Sequence, residues 1–201
     1  MRDFDQSAHV SRLISDREVS RGEIQSGAYK ENADRSFIAY KMMIPVLEPI
    51  ILSLVEQKSV VKGLDVGCGT GRAAAGIADN YPSVHMQGVT LIYHPPVGDH
   101  RFLPRHKIRI ANAGNTHYPE RSFDLLLAVG SLDTSDTLEY EGAAVLKLLA
   151  KGGFFIFAPA VWSKYSEKAL RGVTKSAKQQ GISFFRDRND FGYPFFVFMR
   201  N

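Results

Sequence analysis

Cysteine is nearly absent: Cys68 stands alone among 201 residues. One thiol cannot close an intrachain disulfide, and it cannot build a zinc site of the multi-cysteine kind. A reducing compartment is the expectation that follows. Long apolar runs are missing too. The most apolar stretch, residues 42–55, is broken by Pro45, Glu48 and Pro49 and is too short to cross a bilayer. The start, Met1-Arg2-Asp3-Phe4-Asp5, leads into no apolar segment and reads as no secretory signal. The expectation is a cytoplasmic protein without a membrane partner. There is no repeat, no low-complexity tract and no linker-like Gly/Ser/Pro stretch, which points to one domain with one sizeable core. Charge of one sign is also scarce, the formal balance being only +4. No His/Asp/Glu cluster has ligand spacing, so no metal is expected.

What is present changes character along the chain. Residues 1–35 are polar and charged; from Phe37 onward Ile38, Met42, Val46, Ile50 and Leu54 step by four residues, as one helix face does. Pro45 and Pro49 are predicted to kink or divide that helix. Residues 1–58 therefore read as an N-terminal helical segment, a lid or cap within the same domain as 59–201. Beyond it, strands are predicted at Val60–Val66, Val84–Leu91, Lys107–Ala111, Asp124–Val129, Phe154–Ala158, Ile182–Arg186 and Phe195–Arg200. Helices are predicted at Arg72–Asn80, at Leu138–Ala150 (closed by Lys151-Gly152-Gly153) and at Ser163–Gln180. Strands alternating with helices imply an α/β fold: a mostly parallel seven-stranded sheet with helices on both faces. The last two strands, linked through Asp190-Phe191-Gly192-Tyr193, suit an antiparallel hairpin. Ligands of such sheets bind at the carboxyl ends of the strands.

The first of those ends is the most informative. Leu64-Asp65-Val66-Gly67-Cys68-Gly69-Thr70-Gly71 runs from a strand through three glycines into a helix. Glycine permits positive φ and lets a ligand approach the main chain, while a helix start offers free N–H groups. The dinucleotide fingerprint needs Gly-x-Gly-x-x-Gly/Ala, but Arg72 stands at its third small position. Gly-Lys-Ser/Thr, the mark of a P-loop, is absent. The pattern Asp65-x-Gly67-x-Gly69-x-Gly71 instead resembles motif I of class I methyltransferases, where the loop wraps the methionine part of S-adenosylmethionine. Gly88-Val89-Thr90-Leu91, Asn112-Ala113, Ser122-Phe123-Asp124 and Leu149-Ala150-Lys151-Gly152-Gly153 continue the resemblance in the family's order over residues 60–158.

The resemblance implies a Rossmann-like fold and S-adenosylmethionine as cofactor. It implies a cofactor site made of Asp65, Gly67, Cys68, Gly69, Gly71, Thr90, Leu91, Asn112, Ala113 and Val129. In the family the acid at position 65 orients the loop and the methionine amino group; it could equally cap the turn. In the family the strand end matching Thr90 binds the ribose, and the position of Asn112 stands beside the adenine. Two positions lack the usual carboxylate. Thr90 offers the ribose an uncharged acceptor, as the Gly-x-Thr-Leu branches do. Asn112 offers the adenine edge both a donor and an acceptor. Residues 92–106, with Pro95, Pro96, Gly98 and Pro104, predict an irregular loop where the family has a helix.

The implied activity is methyl transfer by in-line displacement to a small-molecule acceptor. A catalytically inactive binding or scaffolding relative and an RNA methyltransferase are the alternatives. The electrophile comes with the cofactor, so a base is needed only for an acceptor that is protonated, and no residue is singled out as catalytic. Tyr29 and Tyr40 are candidates to fold over the cofactor, or to pack as core aromatics. His117 is a candidate base or a solvated loop residue. Ser131 and Asp133 follow the fourth strand, at the acceptor site or in a plain turn. Lys164, Lys168, Arg171, Lys175 and Lys178 share one helix face, read as solvated rather than as an RNA track. Arg101, Arg105, His106 and Lys107 form a second basic spot.

Overall fold

Seven strands make one sheet: β1 (Val61–Val66), β2 (Val84–Thr90), β3 (Ile108–Ile110), β4 (Phe123–Val129), β5 (Leu149–Ala158), β6 (Ile182–Arg188) and β7 (Pro194–Arg200). Their order is β3-β2-β1-β4-β5-β7-β6. Neighbours from β3 to β5 are parallel, while β7 runs antiparallel to both β5 and β6. This is the mostly parallel sheet with a terminal hairpin that the sequence predicts. The computed structural model describes residues 29–91, 93, 101–131, 138–158, 164–188 and 194–201.

Each face of the sheet carries its own core. Leu64, Val66, Leu126, Ala128, Phe155, Phe157, Phe196 and Phe198 meet Val145 and Leu146 of α3 (Leu138–Lys147) and Val173 and Ala177 of α4 (Lys164–Gln179). On the other face Val61, Met86, Leu125, Leu127, Ile156 and Val197 meet α1 (Tyr29–Gln57) and α2 (Arg72–Asn80). β4 is buried from Phe123 to Ala128 because helices cover both its faces, hence its unbroken apolar run. Each fully buried Leu or Phe contributes about 1.5–3 kcal/mol of transfer free energy, so these layers supply most of the drive to fold. Gly63 has a packing reason: a Cβ there would come within 2.1 Å of the Met86 sulfur on β2.

Three local expectations differ from the structure. α1 is one continuous helix across Pro45 and Pro49. Both prolines face solvent one turn apart, so water can satisfy the carbonyls they leave unbonded. The fully buried stripe of α1 is Met43, Leu47, Ile51 and Leu54, with Met42, Val46 and Ile50 half-buried on its flank. Finally, α3 ends at Lys147, and Gly152-Gly153 lies inside β5 rather than closing the helix. The pairing jumps from Phe123↔Leu149 to Leu125↔Phe154. Gly152, at φ +72, turns the extra residues out of the ladder as a bulge.

Candidate functional site

Parallel strand order brings the carboxyl ends of β3, β2, β1 and β4 side by side, with the direction of winding reversing between β1 and β4. The glycine loop sits at that reversal. Gly67, Gly69 and Gly71 all adopt left-handed φ, of +76, +54 and +75. The N–H groups of Gly67 and Cys68 both donate to the Val89 carbonyl, at 2.8 and 3.0 Å, which ties the loop to β2. From the other side Ser131, just past β4, donates its Oγ hydrogen to the Val66 carbonyl at 2.6 Å. A Cβ at Gly67 would fall 2.2 Å from the Ser131 Cβ, and one at Gly71 would fall 2.7 Å from the Leu103 Cβ. Gly69 differs: nothing stands within 4 Å of its Cβ direction. Two glycines thus admit neighbouring chain, and the middle one faces open space at the head of α2.

Asp65 is the penultimate residue of β1 and is 7% exposed. It lies on the α1/α2 side of the sheet, close enough to Tyr40 for the two to interact electrostatically. Burial alone pushes its carboxyl up to about 7. Tyr40 of α1 lies in the same layer, buried with Met43 and Ile77. Burial, and then the neighbouring Asp65, raise its hydroxyl pKa. Tyr40 therefore sits in the core and beside the site's acid at once. The Cys68 thiol is pushed up first by burial and then by Asp65, so it stays neutral rather than nucleophilic. A Cβ at Gly88 would reach within 2.5 Å of the Cys68 sulfur, so Gly88 makes room for it across β2.

The polar far end is assembled around the β2 and β3 termini. Thr90 closes β2, buried, with its carbonyl accepting from the Ala111 N–H at 2.9 Å. Leu91 follows, half-buried. Ala113 packs against the α3/α4 core and Val129 against the α1/α2 core. Asn112 is held at both ends of its amide: Oδ1 accepts from the Gly114 N–H and Nδ2 donates to Glu141 Oε1, each at 2.7 Å. Sequence reasoning missed Glu141. The signal was an acid four residues before Val145, on the buried face of α3. It also missed Leu103, which seals Gly71, and the bracing role of Ser131.

The remaining candidates scatter. His117 is exposed in the loop after β3 at φ +56, and Asp133 lies outside the described residues. Tyr29 begins α1. Arg171, Lys175 and Lys178 are exposed opposite Val173 and Ala177, as on a solvated amphipathic face. Within the second basic spot, Arg101 pairs with Asp79 at 2.7 Å and Arg105 donates to the Ile108 carbonyl at 2.8 Å. His106 and Lys107 line an open groove of about 620 Å³ at the β2/β3 edge. Among the described residues no three His, Cys, Asp or Glu gather as metal ligands, and no helix is long and apolar enough to cross a membrane.

A family described as the methyltransferase domain matches residues 64–157, from the residue before Asp65 to the penultimate residue of β5. A malonyl-[acyl-carrier protein] O-methyltransferase of Geobacter sulfurreducens is 31% identical over 178 residues. The chain belongs to the class I S-adenosylmethionine-dependent methyltransferases. Its cofactor is S-adenosylmethionine. The alignment with the Geobacter enzyme takes in 83% of this methyltransferase chain and 66% of the relative, so the chain spans about two thirds of the relative's length. Among solved structures, the Burkholderia thailandensis 1,6-didemethyltoxoflavin-N1-methyltransferase superposes with a TM-score of 0.61 at 15% identity, covering 98% of this chain and 91% of that one. The [4+2]-cyclase SpnF superposes at 0.56 and 17% identity, over 77% of this chain and 62% of that one. At such identities the likeness is one of fold, and a fold shared with a cyclase leaves the reaction to be argued from the site.

The residues present fit the cofactor. The buried carboxylate of Asp65 suits an ammonium group, and the open side of Gly69 admits a ligand against the main chain.

Proposed function

We propose that this chain transfers the methyl group of S-adenosylmethionine, by in-line displacement, to a small-molecule acceptor. Asp65 carries the reading. Burial that lifts its carboxyl to about 7 makes the anion unfavourable, and a cationic amine beside it offsets that penalty. In this reading Asp65 takes the amino group of the cofactor's methionine end. The main chain of Gly67, Cys68, Gly69 and Gly71 lies along it. Thr90 and Leu91 hold the ribose, Asn112 and Ala113 the base, and Val129 closes the apolar side. Residues 1–58 complete the pocket as its cap.

When bound, S-adenosylmethionine supplies a methyl group on a sulfonium, already a strong electrophile. The chain's work is then to place an acceptor, strip it of water and hold its geometry. Ser131 is spent on the Val66 carbonyl and His117 is exposed in its loop, which supports a reaction driven by positioning rather than by a dedicated base. The small-molecule reading has support from two relatives. One is named for O-methylation of malonyl-[acyl-carrier protein], and the other holds 1,6-didemethyltoxoflavin with S-adenosylhomocysteine.

Calorimetry with S-adenosylhomocysteine tests the site. Micromolar binding that Gly69→Arg abolishes supports the proposal; no binding by the wild-type chain refutes it. Transfer of a labelled methyl group to a small-molecule fraction, rather than to RNA, tests the acceptor class.

A further inference from the structure

The amide of Asn112 is locked against rotation. A side-chain amide can usually exchange its oxygen and nitrogen by a half-turn, presenting either order of donor and acceptor. Here two partners of opposite kind forbid the exchange. Glu141 is 5% exposed, and its carboxylate only accepts, so it demands Nδ2. The Gly114 N–H only donates, so it demands Oδ1. Space enforces the arrangement: a Cβ at Gly114 would fall 2.5 Å from Tyr140 Cε1 and 2.9 Å from Asn112 Oδ1. The loop, the amide and the first turn of α3 therefore close on one another.

A buried carboxylate is an expensive way to fill a helix face that Val145 and Leu146 otherwise pack with apolar side chains. We propose that Glu141 is a positioning residue that sets the base specificity of the cofactor site by fixing the orientation of the Asn112 amide. The inference rests on the reading of Asn112 as the residue beside the base. With both locks engaged, Asn112 retains one hydrogen on Nδ2 and one lone-pair position on Oδ1. That fixed donor–acceptor order complements adenine, whose 6-amino group donates and whose N1 accepts. A 6-oxopurine presents the reverse order, and the locked amide cannot turn to meet it. The carboxylate missing from position 112 thus returns from α3, one residue removed from the base, where it orients the reading group.

The test compares S-adenosylhomocysteine with its 6-oxo analogue, S-inosylhomocysteine, by calorimetry on the full chain. Wild type should favour the adenosyl form by roughly 10–100-fold, the scale of one inverted bidentate pair. Glu141→Met removes the lock and should bring the ratio below about threefold, chiefly by weakening the adenosyl ligand. Glu141→Gln can still accept from Nδ2 but can also donate to a turned amide, so its ratio should fall between the two. Thermal unfolding establishes that each variant is folded, and the glutamine form serves if the methionine form is not. A ratio unchanged in the folded variants overturns the proposal, as does equal weakening of both ligands, the mark of a purely structural role. A wild-type chain that binds both ligands equally overturns it too. Failure of the wild type to bind S-adenosylhomocysteine at all overturns the reading of the pocket, and this inference with it.

Discussion

Asp65→Asn should make the empty protein more stable at pH 8 while leaving it unchanged at pH 4. The Asp65 carboxyl is raised from an ordinary 3.8 to about 7 by burial. Below pH 3.8 the group is protonated in both folded and unfolded chains and contributes no pH dependence. Between 3.8 and 7 the unfolded chain ionises while the folded chain holds its proton, so stability falls as pH rises. Above about 7 both forms are ionised and the full penalty remains. About three pKa units at 1.36 kcal/mol each give a penalty of about 4 kcal/mol. Asparagine is nearly isosteric and carries no charge, so the difference between variant and wild type should grow by that amount from pH 4 to pH 8. For a chain of this size that is roughly a 10 °C rise in Tm relative to wild type. Urea unfolding of both proteins across the window reads the difference directly and cancels every other titrating group. Saturating S-adenosylhomocysteine should reverse the order at pH 8, because only aspartate gains from the ammonium group. If the two proteins track each other from pH 4 to pH 8, Asp65 is not an uncompensated buried acid and the argument for its role fails.

Gly69→Arg should change stability by only about 1 kcal/mol, the strain of a side chain at φ +54, while reducing S-adenosylhomocysteine affinity by more than roughly 100-fold; thermal shift with and without ligand separates the two effects. Gly63→Val should destabilise by about 1–3 kcal/mol in urea, since its side chain collides with the Met86 sulfur. Asp124→Ala should lose about 1–3 kcal/mol, because Asp124 accepts from both the Lys58 ammonium and the Lys62 N–H; a loss below about 0.5 kcal/mol would show the pair to be solvated. Lys175→Gln with Lys178→Gln should leave stability within about 0.5 kcal/mol, and a salt-dependent RNA affinity that falls in this double variant would assign the α4 face to RNA instead.

The sheet was legible because its strands report burial in two different ways. The run Leu125–Ala128 is continuous because helices lie on both sides, whereas His85 and Gln87 alternate with Met86 where one face of β2 stays open. What misled were residues whose local rule yields to context. Proline breaks a helix by orphaning a carbonyl, but at Pro45 and Pro49 the orphans face water, so α1 continues. A glycine pair usually stops a helix, yet here the β4–β5 ladder extends back to Leu149 and the same φ freedom serves a bulge.

The site divides along the same line. The glycine loop, proposed to take the methionine end of the cofactor, could be read from spacing because backbone geometry dictates it: Gly67 admits Ser131, Gly71 admits Leu103, and Gly69 leaves its side open. The end proposed to hold the base could not, because there the chemistry comes from side chains brought together by tertiary packing. Asn112 and Glu141 lie far apart in the chain and meet only when α3 folds over the loop after β3, at 2.7 Å. In sequence, Asn112 reads as a carboxylate lost. In the fold, the carboxylate stands behind the amide, where it can no longer touch a ligand but can decide which atom of the amide does. A substitution that looks like weakening, taken one position at a time, becomes an exchange of direct contact for orientation once the helix is in place.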